Sequence, residues 1–73
     1  MPPTAEQWLA AFAAALELPP PSPDEIKAVL ALAGVAAHAS DRQAAPMACW
    51  LAAKAGVDPD VARRRAHEIA FPE

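Results

Sequence analysis

The chain contains 73 residues, with nine acidic and six basic side chains and a formal net charge of −3. This length leaves room for one domain, residues 1–73, and the acidic balance disfavours binding to nucleic acids, whose phosphates attract a basic surface. No apolar stretch approaches the ~18 residues that a membrane-spanning helix needs, so we expect no membrane partner.

The first predicted helix spans residues 5–17. Thr4 and Gln7 have the spacing of a capping box, which places the start of the helix at residue 5. Apolar residues then recur at intervals of three and four and predict a single packing face. That face consists of Trp8, Leu9, Phe12, Ala13 and Leu16.

The second predicted helix spans residues 23–39. It follows Pro19–Pro21, which favours a stiff, extended connection. Ser22 is a typical N-cap residue, proline occupies the first helical position, and Glu25 completes a second capping box. The start of this helix is the strongest local signal in the chain.

The second helix is expected to be central, because it carries apolar residues on more than one side. We predict that Leu32 and Val35 point away from the main packing face and that Gly34 lets a neighbour approach closely. The predicted packing face consists of Ile26, Val29, Leu30, Ala33 and Ala37.

The last two helices are predicted over residues 46–55 and 59–70. Pro46 suits a first helical turn, and Gly56 suits the left-handed residue that ends a helix. Asp58 before a proline repeats the cap signature. One face of the third helix carries Met47, Trp50, Leu51 and Lys54, and the buried stripe of the fourth is predicted as Val61, Ala62, Ala66 and Ile69.

Four helices, short connectors and no alternating strand pattern predict an all-α fold, a small four-helix bundle. More than half of the apolar residues are alanine, so the core supplies only about 3–5 kcal/mol, and we expect docking on a partner or on a fused domain. The large residues expected in the core are Trp8, Leu9, Phe12, Leu16, Ile26, Val29, Leu30, Met47, Trp50, Leu51, Val61 and Ile69.

Polar chemistry concentrates around the loop between the second and third helices. His38 either bonds the last carbonyls of its helix or contacts a ligand. Arg42 and the free N–H groups at the start of the third helix could hold an anion. Alternatively, Ser40 or Asp41 caps the turn and Arg42 is solvated, which is the interpretation we favour.

The remaining candidates are weaker. Trp50 is expected as a core anchor, although an exposed tryptophan would mark a protein interface. Arg63–Arg65 fans around its helix and forms no flat basic face.

Cys49, His38 and His67 lie far apart in sequence, so we expect no metal site and no catalytic residue. A single cysteine suits a reducing compartment, and we expect a cytoplasmic protein.

Several segments resemble a small actinobacterial helical family of unknown function. They are Trp8-Leu9 to Leu18-Pro19, Ala37-His38, and Asp41-Arg42-Gln43-Ala44-Ala45-Pro46 with the helix from Met47 to Gly56. Such domains occur alone or fused to molybdenum cofactor guanylyltransferase-like domains. The resemblance implies a setting in molybdenum cofactor maturation and directs attention to His38, Arg42 and Pro46, and it implies no activity.

Our leading functional hypothesis is a noncatalytic helical adaptor that docks on a molybdenum cofactor maturation enzyme, with His38, Asp41, Arg42 and Trp50 as partner-binding residues and no cofactor. The alternative is a module that binds a phosphate or nucleotide ligand through residues 38–46. A helix-turn-helix DNA binder using Arg63–Arg65 is a third hypothesis, which the acidic balance disfavours. A homo-oligomer is compatible with all three.

Overall fold

A computed structural model of the chain describes residues 2–72 and contains, over that range, four helices and no strand. Met1 and Glu73, which belong to the predicted domain 1–73, lie outside the described residues. The predicted all-α fold of four helices is confirmed. The helices are α1 (Ala5–Ala15), α2 (Pro23–Ala39), α3 (Ala44–Ala55) and α4 (Pro59–Ala70).

The starts of three helices are capped as the sequence predicts. At α1, Gln7 N donates to Thr4 Oγ1 over 3.1 Å, and Thr4 N donates to Gln7 Oε1 over 2.9 Å. The same reciprocal pair joins Ser22 and Glu25 at α2, over 3.1 and 2.7 Å. At α4 the carboxylate of Asp58 accepts the backbone N–H two residues on, over 2.9 Å. These bonds satisfy N–H groups that have no partner inside a helix.

Two helices end in the same backbone turn. Leu18 N donates to Ala13 O over 2.9 Å after α1, and Val57 N donates to Ala52 O over 3.1 Å after α3. The turn needs a left-handed residue, which is Gly56 at φ 70° in α3 but Glu17 at φ 60° in α1. As a result α1 ends at residue 15, two residues before its predicted end.

The third helix begins two residues before its predicted start. Ala44 N donates to Asp41 O over 3.0 Å and Ala45 N donates to Arg42 O over 3.3 Å, which closes the first turn ahead of Pro46. Pro46 is tolerated there because the N–H groups of a first turn need no acceptor inside the helix.

The α2 helix lies between α3 and α4 and contacts both. Ala39, Ala44 and Ile69 line one groove, which brings the end of α2, the start of α3 and the end of α4 together. Asp24 and Asp60 line a depression that joins the starts of α2 and α4. Therefore α3 runs antiparallel to α2, and α4 runs in the same direction as α2.

The predicted packing face of α2 is correct in part: Ile26, Val29, Ala33 and Ala37 are part-buried, but Leu30 and Leu32 are assigned to the wrong sides. Leu32, expected to point elsewhere, is the most buried residue of the described chain at 3% exposure, whereas Leu30 is 65% exposed. The α3 and α4 helices flank Leu32, and Leu30 lies about 160° around the α2 axis from it. Because α2 is apolar on several sides, periodicity alone could not single out the face that packs.

The residues that α3 and α4 bury in the fold are small rather than large. Ala48 and Ala52 are part-buried in α3, whereas Met47, Trp50 and Leu51 are more than half exposed on its outer face. Of the predicted buried stripe of α4, Val61, Ala62 and Ala66 are part-buried, whereas Ile69 is 82% exposed. Most of the expected large core residues are thus on the surface: Trp8, Phe12, Leu16, Leu30, Met47, Trp50, Leu51 and Ile69.

Gly34 does not mark a close helix contact, contrary to its predicted role. A Cβ atom built on Gly34 meets no atom within 4 Å outside its own local backbone.

We therefore expect Gly34→Ala to raise the free energy of unfolding by about 0.5–1 kcal/mol, because glycine weakens a helix interior. Urea unfolding followed by circular dichroism measures the free energy of unfolding. Ala31→Gly on the same helix is the reverse control and should lower it. A destabilised Gly34→Ala variant would contradict the prediction.

The shared turn at Glu17 and Gly56 gives a matched pair of variants. Glu17→Gly should stabilise the chain by about 0.5–1 kcal/mol, because it removes the cost of a left-handed non-glycine residue. Gly56→Ala introduces that cost and should destabilise the chain by about 1 kcal/mol. Thermal unfolding of both variants checks this, and shifts of the same sign in the two would show that the turns are not equivalent.

Candidate functional site

The polar loop after α2 folds on itself. The Oδ1 atom of Asp41 accepts the backbone N–H of Gln43 over 2.9 Å, which caps the turn into α3. His38, Asp41 and Arg42 are all exposed. The structure thus places these three predicted site residues in one exposed stretch of chain, with the Asp41 carboxylate already engaged.

The start of α3 has few donors to offer an anion. The N–H groups of residues 43, 44 and 45 donate to acceptors on Asp41 and Arg42, and Pro46 has no N–H. A helix N-terminus binds anions through free N–H groups and its positive dipole end. Here a bound phosphate would have to compete with the Asp41 carboxylate for the N–H of Gln43 and with backbone carbonyl oxygens for the N–H groups of Ala44 and Ala45.

The fourth predicted site residue, Trp50, lies on the outer face of α3. Its side chain is 53% exposed, and Lys54 Nζ lies 4.6 Å from its ring centroid in a cation–π contact. Trp50 is therefore not a core anchor, and its exposure matches the other expectation, that of a residue at a protein interface.

A continuous apolar area lies beside Trp50. Two adjoining grooves, of about 310 and 260 Å³, share Ala48, Leu51, Ala66 and Ile69 in their walls. Ser40 and Ala44, which flank the Asp41–Arg42 turn in sequence, also line the larger groove. We call Met47, Trp50, Leu51 and Ile69 the α3 surface. The exposure of Ile69 was not predicted, since its helical spacing matches that of the part-buried alanines of α4.

A second apolar area lies on α1. The rings of Trp8 and Phe12 stack with centroids 5.1 Å apart and an interplanar angle of 20°. A groove of about 530 Å³ separates α1 from the remaining helices and is walled by Leu9, Phe12 and Leu16 on one side and Val29 on the other. We call Trp8, Phe12, Leu16 and Leu18 the α1 surface; all four are about half exposed.

The molecule exposes far more area than a folded chain of its mass usually does. A monomer of 7.6 kDa is expected to expose about 4300 Å², and this chain exposes 5894 Å², an excess of about 1600 Å². Its radius of gyration is 13.2 Å, against about 11 Å for a compact domain of this length. Among the described residues only Ala13 and Leu32 are buried apolar residues.

The basic run on α4 forms no common surface. Arg63 is part-buried, whereas Arg64 and Arg65 are exposed, and consecutive helical residues point about 100° apart. Arg65 lines the smaller groove of the α3 surface beside Leu51 and Ile69. No cluster of three or more potential metal ligands occurs in the part of the chain that the structure describes.

Cys49 packs between two helices. Its Sγ lies 3.8 Å from the carbonyl oxygen of Val29 on α2, and burial raises the pKa of the thiol. A catalytic cysteine needs the opposite change, since the thiolate is the nucleophile. The position of Cys49 is that of a small packing residue.

Comparison with known proteins gives one match. The profile of a family described as Domain of unknown function (DUF6457) matches residues 1–71. No curated protein and no solved structure matches the chain. Over residues 2–72, no helix has the length and apolar character needed to cross a membrane.

Alkylation of Cys49 tests its assignment as a packing residue. Because burial raises the thiol pKa, we expect iodoacetamide to react more slowly with the folded chain than with the chain in urea, and the rate to rise at higher pH. The raised pKa also makes stability depend on pH. The contribution of the protonated Cys49 thiol to the free energy of unfolding is present below the unfolded-state pKa and is lost as pH rises through the folded-state pKa. A folded chain that reacts at lower pH than the unfolded chain would indicate an activated nucleophile.

Proposed function

The chain belongs to the family Domain of unknown function (DUF6457), and we propose that it is a noncatalytic adaptor that docks on a protein partner through the α3 surface. The observation that carries the proposal is the exposure of Met47, Trp50, Leu51 and Ile69 on one side of a domain that buries very few large side chains.

The α3 surface has the composition of a protein interface. Such interfaces combine an apolar centre with a polar rim, and tryptophan and arginine are enriched among the residues that dominate binding. Here Leu51 and Ile69 wall the grooves, Trp50 lies one turn from Met47, and the Asp41–Arg42 turn lies next to the larger groove. The predicted partner-binding residues Arg42 and Trp50 thus both border the apolar grooves of this surface.

The charges around the α3 surface indicate the chemistry of the partner. Arg42, Lys54 and Arg65 are exposed cations near it, whereas the carboxylate of Asp41 already accepts a bond from Gln43. Complementary charge favours fast and specific association. We infer that the partner presents an apolar patch with acidic groups around it.

The partner that the sequence resemblance suggests is a molybdenum cofactor guanylyltransferase-like enzyme in the cytoplasm. In this proposal the domain contributes surface and no chemistry, so it requires neither a metal nor a cofactor. The raised pKa of Cys49 supports a noncatalytic role, because burial works against formation of the thiolate.

The rival hypothesis is a phosphate or nucleotide ligand held by His38, Arg42 and the start of α3. The bonds of residues 43–45 favour the adaptor, since an anion would have to displace the Asp41 carboxylate from the N–H of Gln43 and backbone carbonyl oxygens from the next two N–H groups. Titration of the labelled chain with GTP and Mg²⁺ is the direct test: amide shifts around Arg42 that Arg42→Ala removes would support the rival.

Binding of the candidate partner tests the adaptor. Trp50→Ala and Leu51→Glu should each weaken binding to a molybdenum cofactor guanylyltransferase by at least ~2 kcal/mol, about 30-fold in Kd, because they remove or charge the centre of the apolar surface. Isothermal titration calorimetry measures the affinity, and amide shifts map the contact.

Leu30→Glu is the matched control. Leu30 and Leu51 are exposed leucines, at 65% and 57%, on helices that pack together, but Leu30 lies outside the α3 surface. We expect Leu30→Glu to leave the affinity unchanged. An unaffected Kd in Leu51→Glu, or an equal loss in both variants, would rule out the α3 surface as the docking site, and the absence of binding would rule out this partner.

A further inference from the structure

A long apolar groove lies between α3 and α4. The two adjoining grooves of the α3 surface, of about 310 and 260 Å³, share four residues in their walls. One reaches Ala44 at the start of α3, and the other reaches Val57 just after its end. We call the combined depression the α3–α4 groove. Since α3 has 12 residues, the groove extends over about 18 Å, or roughly three helical turns.

The three helices other than α1 form the floor and the walls of this groove. Leu32, Val35, Ala36 and Ala39 of α2 lie along the floor, at the three- and four-residue intervals of one helix face. The α3 and α4 helices run in opposite directions along its two sides. Each of them contacts α2 more extensively than it contacts the other, so the space between them stays open on the side away from α2.

A further helix fits the position opposite α2. In a four-helix bundle the apolar sides of all the helices meet in one core. The α1 helix does not occupy this position, because none of its residues lines the α3–α4 groove and its own groove contains Ala53 and Pro59 instead. Leu51 and Ile69, at 57% and 82% exposure, are left in the walls of an open groove.

Cations surround the α3–α4 groove in a chain whose net charge is −3. Arg65 is the only charged residue among those that line the groove in the described chain. Lys54 lies one turn beyond Leu51 on α3, and Arg42 lies in the turn that leads to this helix. All three cations are exposed, so they are free to pair with acidic groups of a partner.

Acidic side chains do not offset these cations in the groove. The carboxylate of Asp41 already accepts the N–H of Gln43. Glu68 precedes Ile69 on α4, but consecutive helical residues point about 100° apart, and Glu68 lines neither part of the groove. A partner segment with carboxylates beside its apolar residues is therefore complementary to the groove, whereas one with lysines there is repelled.

The backbone of the groove walls favours a helix over an extended segment. An extended peptide gains affinity by pairing with the free edge of a sheet, and residues 2–72 contain no strand. The N–H and C=O groups of an extended segment would then lose water without gaining partners. A helix bonds these groups internally and presents only side chains to the apolar walls.

We propose that the α3–α4 groove binds an amphipathic helix of the partner, with acidic residues on both sides of its apolar stripe. The proposal rests on the adaptor function proposed above and names the segment of the partner that is recognised. Such a helix presents apolar residues at positions i, i+3, i+4 and i+7. These residues cover Leu51 and Ile69, and the flanking carboxylates lie close to Arg65 and Lys54.

Three synthetic peptides of about 18 residues, ~27 Å as a helix, test the groove. The first has leucine at this helical spacing and glutamate on both sides, the second has lysine in place of glutamate, and the third is the first with a central proline, which breaks a helix. The first should bind and gain helical circular dichroism. The other two should bind at least about 10-fold more weakly by fluorescence anisotropy.

Each comparison between the peptides can overturn the proposal. Equal affinity for the glutamate and lysine peptides would show that the cations select nothing. Equal affinity for the peptide with the central proline would show that the bound segment is not a helix. The absence of binding by the first peptide would show that the groove does not take an acidic amphipathic helix.

Variants of the full chain locate the bound peptide. Ile69→Glu should weaken binding of the glutamate peptide at least about 10-fold, and the high exposure of Ile69 keeps the change out of the fold. Arg65→Glu should reduce the preference for glutamate over lysine. Leu30→Glu is the exposed control on α2, and Phe12→Glu reports binding in the groove beside α1. An equal loss in either control would overturn the assignment.

The failure of this proposal and that of the adaptor are distinguishable. If Leu51→Glu weakens binding to the partner enzyme while the glutamate peptide does not bind, the adaptor stands and the helix is wrong. If the peptide binds in the groove and the enzyme does not bind, the helix stands and that partner is wrong. Sedimentation velocity completes the test, because self-association that Ile69→Glu abolishes would assign the groove to a second copy of the chain and overturn the proposal.

Discussion

Alanine at the helix contacts determines much of this structure. Small residues such as Ala48 and Ala52 of α3 face α2, with its buried Leu32. Where the contact surface of a helix is made of methyl groups, its large side chains remain partly in water, and Met47, Trp50 and Leu51 of α3 are each more than half exposed. The apolar surface of the chain is thus a direct result of how its helices pack.

Local signals predicted the helices well, whereas the faces of the helices could not be predicted from them. Capping boxes and Gly56 depend on residues three or four positions apart, so the sequence contains the whole interaction. Which face of α2 packs depends on where α3 and α4 lie. In a helix with apolar residues on several sides, the pattern fits Leu30 and Leu32 almost equally well, and only tertiary contacts distinguish them.

The same reasoning explains the outcome at the candidate site. His38 in the last turn of α2 and the loop residues Asp41 and Arg42 were recognisable as exposed and polar because they stand out from the alanine-rich sequence around them. The apolar half of the site was hidden, since Ile69 has the helical spacing of buried residues and lies near the end of α4. The composition did indicate an exposed apolar surface, because this chain has more large apolar residues than positions that can bury them.

Very little apolar surface leaves water when a single copy of this chain folds, since only Ala13 and Leu32 are buried among the described residues. The heat capacity change of unfolding scales with the apolar area that unfolding exposes. The isolated chain should therefore have a small heat capacity change and a shallow dependence of stability on temperature. Each surface covered by association adds to that change, so calorimetry of this protein reports its assembly as much as its fold.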